Sequence, residues 1–282
     1  MQAHRPRFLL PALLLSCAMS AGATTYSFTD LGTLGGTYSI AYGINASGQV
    51  VGDSQIAGNT AQHATLWNGT TATDLGTLGG TQSIATGINA SGQVAGYSYT
   101  AGNTATHATL WNGTTATDLG TLGGTYSVAY GINASGQVAG YSYTAGNTAL
   151  HATLWNGTTA TDLGTLGGTN SATHGINASG QVVGWSYTAG NAAQHATLWN
   201  GSTLIDLNSF LDASKVSAGW VLTEAWAIND NGWIAGSAVN SLTGQQHAFR
   251  LSVTPVPEPA SMALLLAGLG LLGVIGRRRR AR

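Results

Sequence analysis

Thr73-Asp-Leu-Gly-Thr-Leu-Gly-Gly80, followed by Ser83-Ile-Ala-Thr-Gly-Ile-Asn89 and Gln93-Val-Ala-Gly-Tyr-Ser-Tyr99, decides the fold, because the same words recur along most of the 282 residues. The aspartate of the first word stands at Asp30, Asp74, Asp118, Asp162 and Asp206, a period of 44 residues, and the Ile-Asn pair ends at Asn45, Asn89, Asn133, Asn177 and Asn229. Only the last interval is longer, by 8 residues, which puts one insertion around Ser209 to Val216. Self-similarity at a period of about 40–45 residues points to a propeller or a solenoid. The repeats run 30–73, 74–117, 118–161, 162–205 and 206–251, inside one domain over 24–254.

Within the second copy, Ser83–Asn89 and Gln93–Tyr99 are strand-like runs around the short turn Ala90-Ser-Gly92. His107-Ala-Thr-Leu-Trp111 and Thr115-Ala-Thr-Asp-Leu119 flank Asn112-Gly113, a strong hairpin signal. Each period thus supplies four short antiparallel strands, the content of one propeller blade. The segment Thr24–Asp30 matches a fourth strand, whereas the chain's last copy ends at His247–Leu251, which matches a third. The expectation is an all-β, five-bladed β-propeller whose N-terminal strand closes the last blade, with a β-solenoid as the alternative.

Composition supports turn-rich β structure: 43% of residues are hydrophobic, 7% are charged, and there are 41 glycines. Between Thr24 and Pro255, nine acidic residues face only Lys215 and Arg250, so the basic footprint of a nucleic-acid-binding protein is missing. Arg5 and Arg7 precede the apolar run Phe8–Leu15, and Ala21-Gly22-Ala23 suits signal peptidase, so residues 1–23 read as a secretory signal peptide. Cleavage there removes Cys17, the one cysteine, and with it any thiol chemistry.

At the other end stand Val256, Pro257, Glu258 and Pro259, the apolar stretch 260–276, and Arg277, Arg278, Arg279 and Arg280. Seventeen helical residues span roughly 25 Å, enough for a transmembrane helix at the short end of the range, and the arginines form a cytoplasmic stop. The order of Pro-Glu-Pro, span and arginines over 255–282 resembles the PEP-CTERM sorting signal. That resemblance implies processing by exosortase, a membrane protease of Gram-negative bacteria that make exopolysaccharide. A plain single-span anchor is the other reading.

The repeat itself, with Asp-Leu-Gly, Gly-Ile-Asn, Gly-Gln-Val and His-Ala-Thr-Leu-Trp, resembles the HAF family of extracellular repeats; the last copy reads His247-Ala-Phe249, where the earlier four have Thr for Phe. The family implies no activity for particular residues. His63, His107, His151, His195 and His247 recur once per blade, as do the five aspartates, and both sets read as structural rings. Five imidazoles a blade apart are too far from one another for Zn–N contacts of about 2.0–2.1 Å. Each Asp stands alone before its Leu-Gly or Leu-Asn, without the oxygen ligands calcium needs. No cofactor, metal or catalytic residue is expected, since no nucleophile elbow, zinc motif, phosphate loop or paired carboxylates are present.

The variable positions are more informative. At one of them the copies carry Tyr42, Thr86, Tyr130, His174 and Trp226, and on the second strand stand Tyr97, Tyr99, Tyr141, Tyr143, Trp185 and Tyr187. Aromatics on alternate strand positions share a face, and those six are the candidate glycan contacts, against the plainer role of packing between blades. The expected protein is exported, anchored transiently at the inner membrane, and then surface-bound or extracellular. Its partners are signal peptidase, exosortase and exopolysaccharide, and its role is non-catalytic binding or structure. A glycan hydrolase or lyase built on the same scaffold is the alternative.

Overall fold

The Asn-Ala-Ser-Gly-Gln word makes the corner on which each repeat is built. In the second copy the Asn89 side-chain oxygen accepts from Ser91 N (3.1 Å) and Gln93 N (3.0 Å), closing the turn, while Gly92 supplies the positive φ of +82° that the turn requires. The computed structural model describes residues 26–253. Residues 1–25 and 254–282, and with them the signal peptide, the Pro-Glu-Pro motif, the apolar span 260–276 and the arginine tail, lie outside the described residues. Among the described residues no helix is long and apolar enough to cross a membrane.

The protein is all-β. The first repeat forms β1 (Gly35–Ile44), β2 (Val50–Ile56), β3 (Gln62–Asn68) and β4 (Thr71–Asp74), paired in that order and antiparallel throughout. The second forms β5 (Gly79–Ile88), β6 (Val94–Thr100), β7 (Thr106–Asn112) and β8 (Thr115–Asp118). The third forms β9 (Gly123–Ile132), β10 (Val138–Thr144), β11 (Leu150–Asn156) and β12 (Thr159–Asp162). The fourth forms β13 (Gly167–Ile176), β14 (Val182–Thr188), β15 (Gln194–Asn200) and β16 (Thr203–Asp206). The insertion folds as a 3₁₀ turn at Leu207–Phe210 and a short helix, α1 (Ala213–Ser217), capped by the Asp212 side chain on Lys215 N. The fifth repeat has β17 (Trp220–Ile228), β18 (Ile234–Asn240) and β19 (Gln246–Leu251).

The first strand of each repeat begins earlier than the apolar pattern alone requires. The glycine pair at its start runs extended because Gly80 has no side chain: a Cβ there would meet Tyr99 Cβ at 2.5 Å and Asn103 Oδ1 at 2.7 Å. Asn103 adopts a left-handed φ of 57° in the turn after β6, and its side chain accepts from Thr81 N at 2.9 Å, tying that turn to the start of β5. Gly96 sits opposite a bulge in β5, where a Cβ would approach Ile84 O to 2.0 Å.

Successive sheets stack through their first strands. Asn45 Nδ2 donates to Asn89 O (3.2 Å), Asn89 to Asn133 O (3.1 Å), Asn133 to Asn177 O (3.2 Å) and Asn177 to Asn229 O (3.2 Å). Beside this ladder Ser83 Oγ accepts from Ala64 N at 2.8 Å and donates to Gly76 O at 2.7 Å, reaching back into the preceding repeat. The apolar space between repeats is filled alike each time: Val51, Ala64 and Leu75 of the first meet Ala85, Val94 and Trp111 of the second. A repeat cannot bury this face alone, so stacking is what stabilises it.

The ring-closing strand expected from the N-terminal segment is not formed. Residues 26–30 carry no strand. The last sheet has three strands in the order β17-β18-β19.

Replacing Asn133 by Ala removes the bond to Asn177 O together with both turn bonds, to Ser135 N and Gln137 N. The expected loss is about 2–3 kcal/mol in denaturant unfolding. A loss below about 0.5 kcal/mol would take the ladder out of this account.

Candidate binding cleft

The recurrent histidines and aspartates meet within their own repeats. His63 Nδ1 donates to Asp74 Oδ2 (2.8 Å), His107 to Asp118 (2.8 Å), His151 to Asp162 (2.7 Å) and His195 to Asp206 (2.7 Å). The other carboxylate oxygen accepts the backbone N–H two residues on, as from Gly76 N at 2.7 Å and Gly120 N at 2.7 Å. Each pair therefore clasps the hairpin of third and fourth strands to the turn that leads into the next repeat. The three-stranded sheet of His247 has no fourth strand to carry a partner aspartate, and the His247 ring lies 4.6 Å from that of Trp220. Among the described residues no three of His, Cys, Asp and Glu come together.

A different set of side chains forms the concave feature. The variable position near the end of each first strand brings Tyr42, Thr86, Tyr130, His174 and Trp226 into one row across the five repeats, because the Asn ladder keeps the strands in register. All five line a cleft of about 920 Å³, with Tyr97, Tyr126 and Tyr141 beside them. The rings touch one another: His174 stacks on Trp226 (4.3 Å), Tyr130 lies 5.7 Å from both His174 and Tyr141, and Tyr126 lies 6.1 Å from Tyr141. Trp226, Tyr42 and Tyr130 keep 50%, 52% and 37% of their surface exposed, so part of each is open to a ligand.

Of the six second-strand aromatics, Tyr97 and Tyr141 line this cleft, and Tyr143 lines an adjoining hollow with Tyr126. Tyr99, Trp185 and Tyr187 line neither; Trp185 and Tyr187 pack edge to face at 5.5 Å. Sequence reasoning missed Tyr126 and the pair His174–Glu224, whose Nε2 and Oε1 stand 2.7 Å apart although 50 residues separate them in the chain. The signal available was that Glu224 is the one glutamate of the domain and lies two residues from Trp226.

Burial shapes the titration of the cleft. It pushes the Tyr97 hydroxyl up to about 12 and raises Tyr141 and Tyr130, so these phenols remain hydrogen-bond donors at any ordinary pH. Asp53 takes the place that Tyr97 and Tyr141 hold in later repeats. It is wholly buried beside Tyr42 and accepts from Gln62 Nε2, but its Oδ1 has no partner, and desolvation raises its pKa.

Residues 255–280 match the PEP-CTERM protein-sorting motif. It marks an exported protein that exosortase processes and that reaches the cell surface or the extracellular space. Among curated proteins nothing matches the chain.

Because folding raises the pKa of Asp53 above its ordinary 3.8, the folded state disfavours the carboxylate, and stability rises as pH falls through the folded value. Asp53→Asn is expected to raise stability at pH 7 by on the order of 1 kcal/mol. The gain should vanish once the wild-type carboxyl is protonated. Thermal melts at pH 7 and in mild acid check this; a destabilised variant at pH 7 would refute it.

Proposed function

We propose that the protein is a non-catalytic component of the extracellular polysaccharide or biofilm matrix, which holds a linear glycan along the cleft. The observation that supports this most is the row of rings at positions 42, 130, 174 and 226, one per repeat except at Thr86, with open faces on three of them. Sugar rings stack on such faces, and repeated weak contacts along one polymer add up to useful avidity. HAF-type repeats as the building unit belong to the same proposal. So does transient anchoring by 260–276, with exosortase cutting near Val256 to Pro259.

The five-bladed ring stays a proposal of finer detail: it asks residues 24–30 to add a fourth strand to the last sheet. The radius of gyration from small-angle scattering separates a closed ring from an open stack. A second reading, a glycan hydrolase or lyase, is favoured by one observation, the pairing of Glu224 with His174 of the cleft wall. Turnover of any of a panel of glycans by the exported protein, lost in Glu224→Gln, would put this reading first.

Two measurements test the main proposal. With Tyr42, Tyr130 and Trp226 all changed to Ala, retardation in a gel containing the cell's own polysaccharide should fall at least about tenfold, as the loss of several stacking contacts requires. Unchanged retardation in a still-folded variant would sink it. The intact mass of the extracellular protein should lack Arg277–Arg282. A mature species that keeps them and is recovered only with the membrane would leave a single-span anchor.

A further inference from the structure

Charge divides the described residues unevenly. Nine acidic side chains face two basic ones, Lys215 and Arg250, and both of these line a separate hollow with Trp220, Leu222 and Phe249. The aromatic cleft has no cation in its wall. Two carboxylates stand directly behind it, one at each end of the row. Asp53 is buried beside Tyr42 in the first repeat, and Glu224 stands at 2.7 Å from His174 in the fifth. What the cleft does present is open aromatic faces together with phenol hydroxyls that burial keeps protonated, Tyr97 among them.

This chemistry suits one kind of polymer. Faces of Tyr42, Tyr130 and Trp226 match the C–H faces of pyranose rings, and neutral O–H donors match sugar hydroxyls. A uronic acid or sulfate ester would have to shed water beside Asp53 or Glu224 with no Arg or Lys to receive it, and like charges brought together in a partly desolvated site are strongly unfavourable. We infer that the cleft accepts an uncharged linear polysaccharide, a chain of neutral hexose or N-acetylhexosamine units, and excludes polyanionic ones. This rests on the reading of the cleft as a glycan site and adds the class of glycan.

His174 faces Glu224, Trp226 and Tyr130, so its positive charge, when present, is compensated locally and offers no free cation to an acidic sugar. Asp53, with Gln62 and Tyr42 beside it and no basic group, is the carboxylate whose charge no such pairing offsets.

The test uses the full exported protein in affinity electrophoresis against hydroxyethylcellulose, a neutral linear glucan, and polygalacturonate, a linear polyanion, at low and at physiological salt. Retardation by the glucan, insensitive to salt, with at least about tenfold weaker retardation by polygalacturonate, is the expected result. Glu224→Gln should raise the retardation by polygalacturonate and so narrow the gap between the two polymers. Thr86→Lys, which sets a cation in the middle of the cleft, should create salt-sensitive retardation by polygalacturonate. Equal or stronger retardation of the wild type by polygalacturonate overturns the charge selection while leaving a glycan site in place. No retardation by either polymer, with the wild-type fold intact, overturns the glycan reading itself and the selection with it.

Discussion

The amide of one asparagine per repeat holds the array together. In the first four repeats the side chain closes its own corner through its oxygen and crosses to the next repeat through its nitrogen, so one residue serves both local and long-range structure. Asn89, Asn133 and Asn177 are only 3–5% exposed, where an unpaired amide would carry its full desolvation penalty. No Gln or Asp substitutes: a longer side chain would displace the turn, and a carboxylate cannot donate to the next carbonyl. The period of the sequence is the chemical trace of that constraint, and the serine that bridges Ala64 N to Gly76 O is its companion on the same strand.

Close stacking has costs that show elsewhere. The glycines opposite each bulge tolerate no side chain, with Gly140 facing Val128 O as Gly96 faces Ile84 O. The tryptophans that fill the gap between repeats, Trp67, Trp111, Trp155 and Trp199, bury their rings almost wholly, and their Nε1–H groups find no partner in the protein. Each such orphan costs about 1–3 kcal/mol, which the burial of a large ring and the apolar contacts around it must offset. The same device repeated four times shows that packing volume was kept at the expense of a hydrogen bond.

What could be read from the chain follows from the same logic. Turn words and alternation name all four strands of a repeat because each is set by local chemistry: Asn112-Gly113 for one hairpin, Ala90-Ser-Gly92 for another. Contacts inside one repeat were within reach too, as His107 and Asp118 stand 11 residues apart on paired strands. The closing strand was not, because complementary patterns at two ends do not by themselves make a strand, and residues 26–30 carry none. The cleft was half legible. The variable position of Tyr42, Thr86, Tyr130, His174 and Trp226 was conspicuous, yet the weight placed on Tyr99, Trp185 and Tyr187 assumed that sharing a strand face means sharing a surface. Which ring of a face stays open depends on the neighbouring repeat, a fact that a single repeat's pattern does not contain.

The fifth repeat departs from the others where a terminal unit should. Arg250 stands where Leu66, Leu110, Leu154 and Leu198 face the following repeat, and Trp233 replaces the glutamine of Gln181 and its counterparts. The guanidinium lies over the Trp233 ring at 4.9 Å, so the position that elsewhere feeds the apolar interface here carries a charge at the solvent. Ala235 and Ala248, whose counterparts Val183 and Ala196 are fully buried, are exposed beside it. End units of repeat arrays carry such polar outer faces. The one arginine among the described residues is thereby held over Trp233, outside the aromatic cleft.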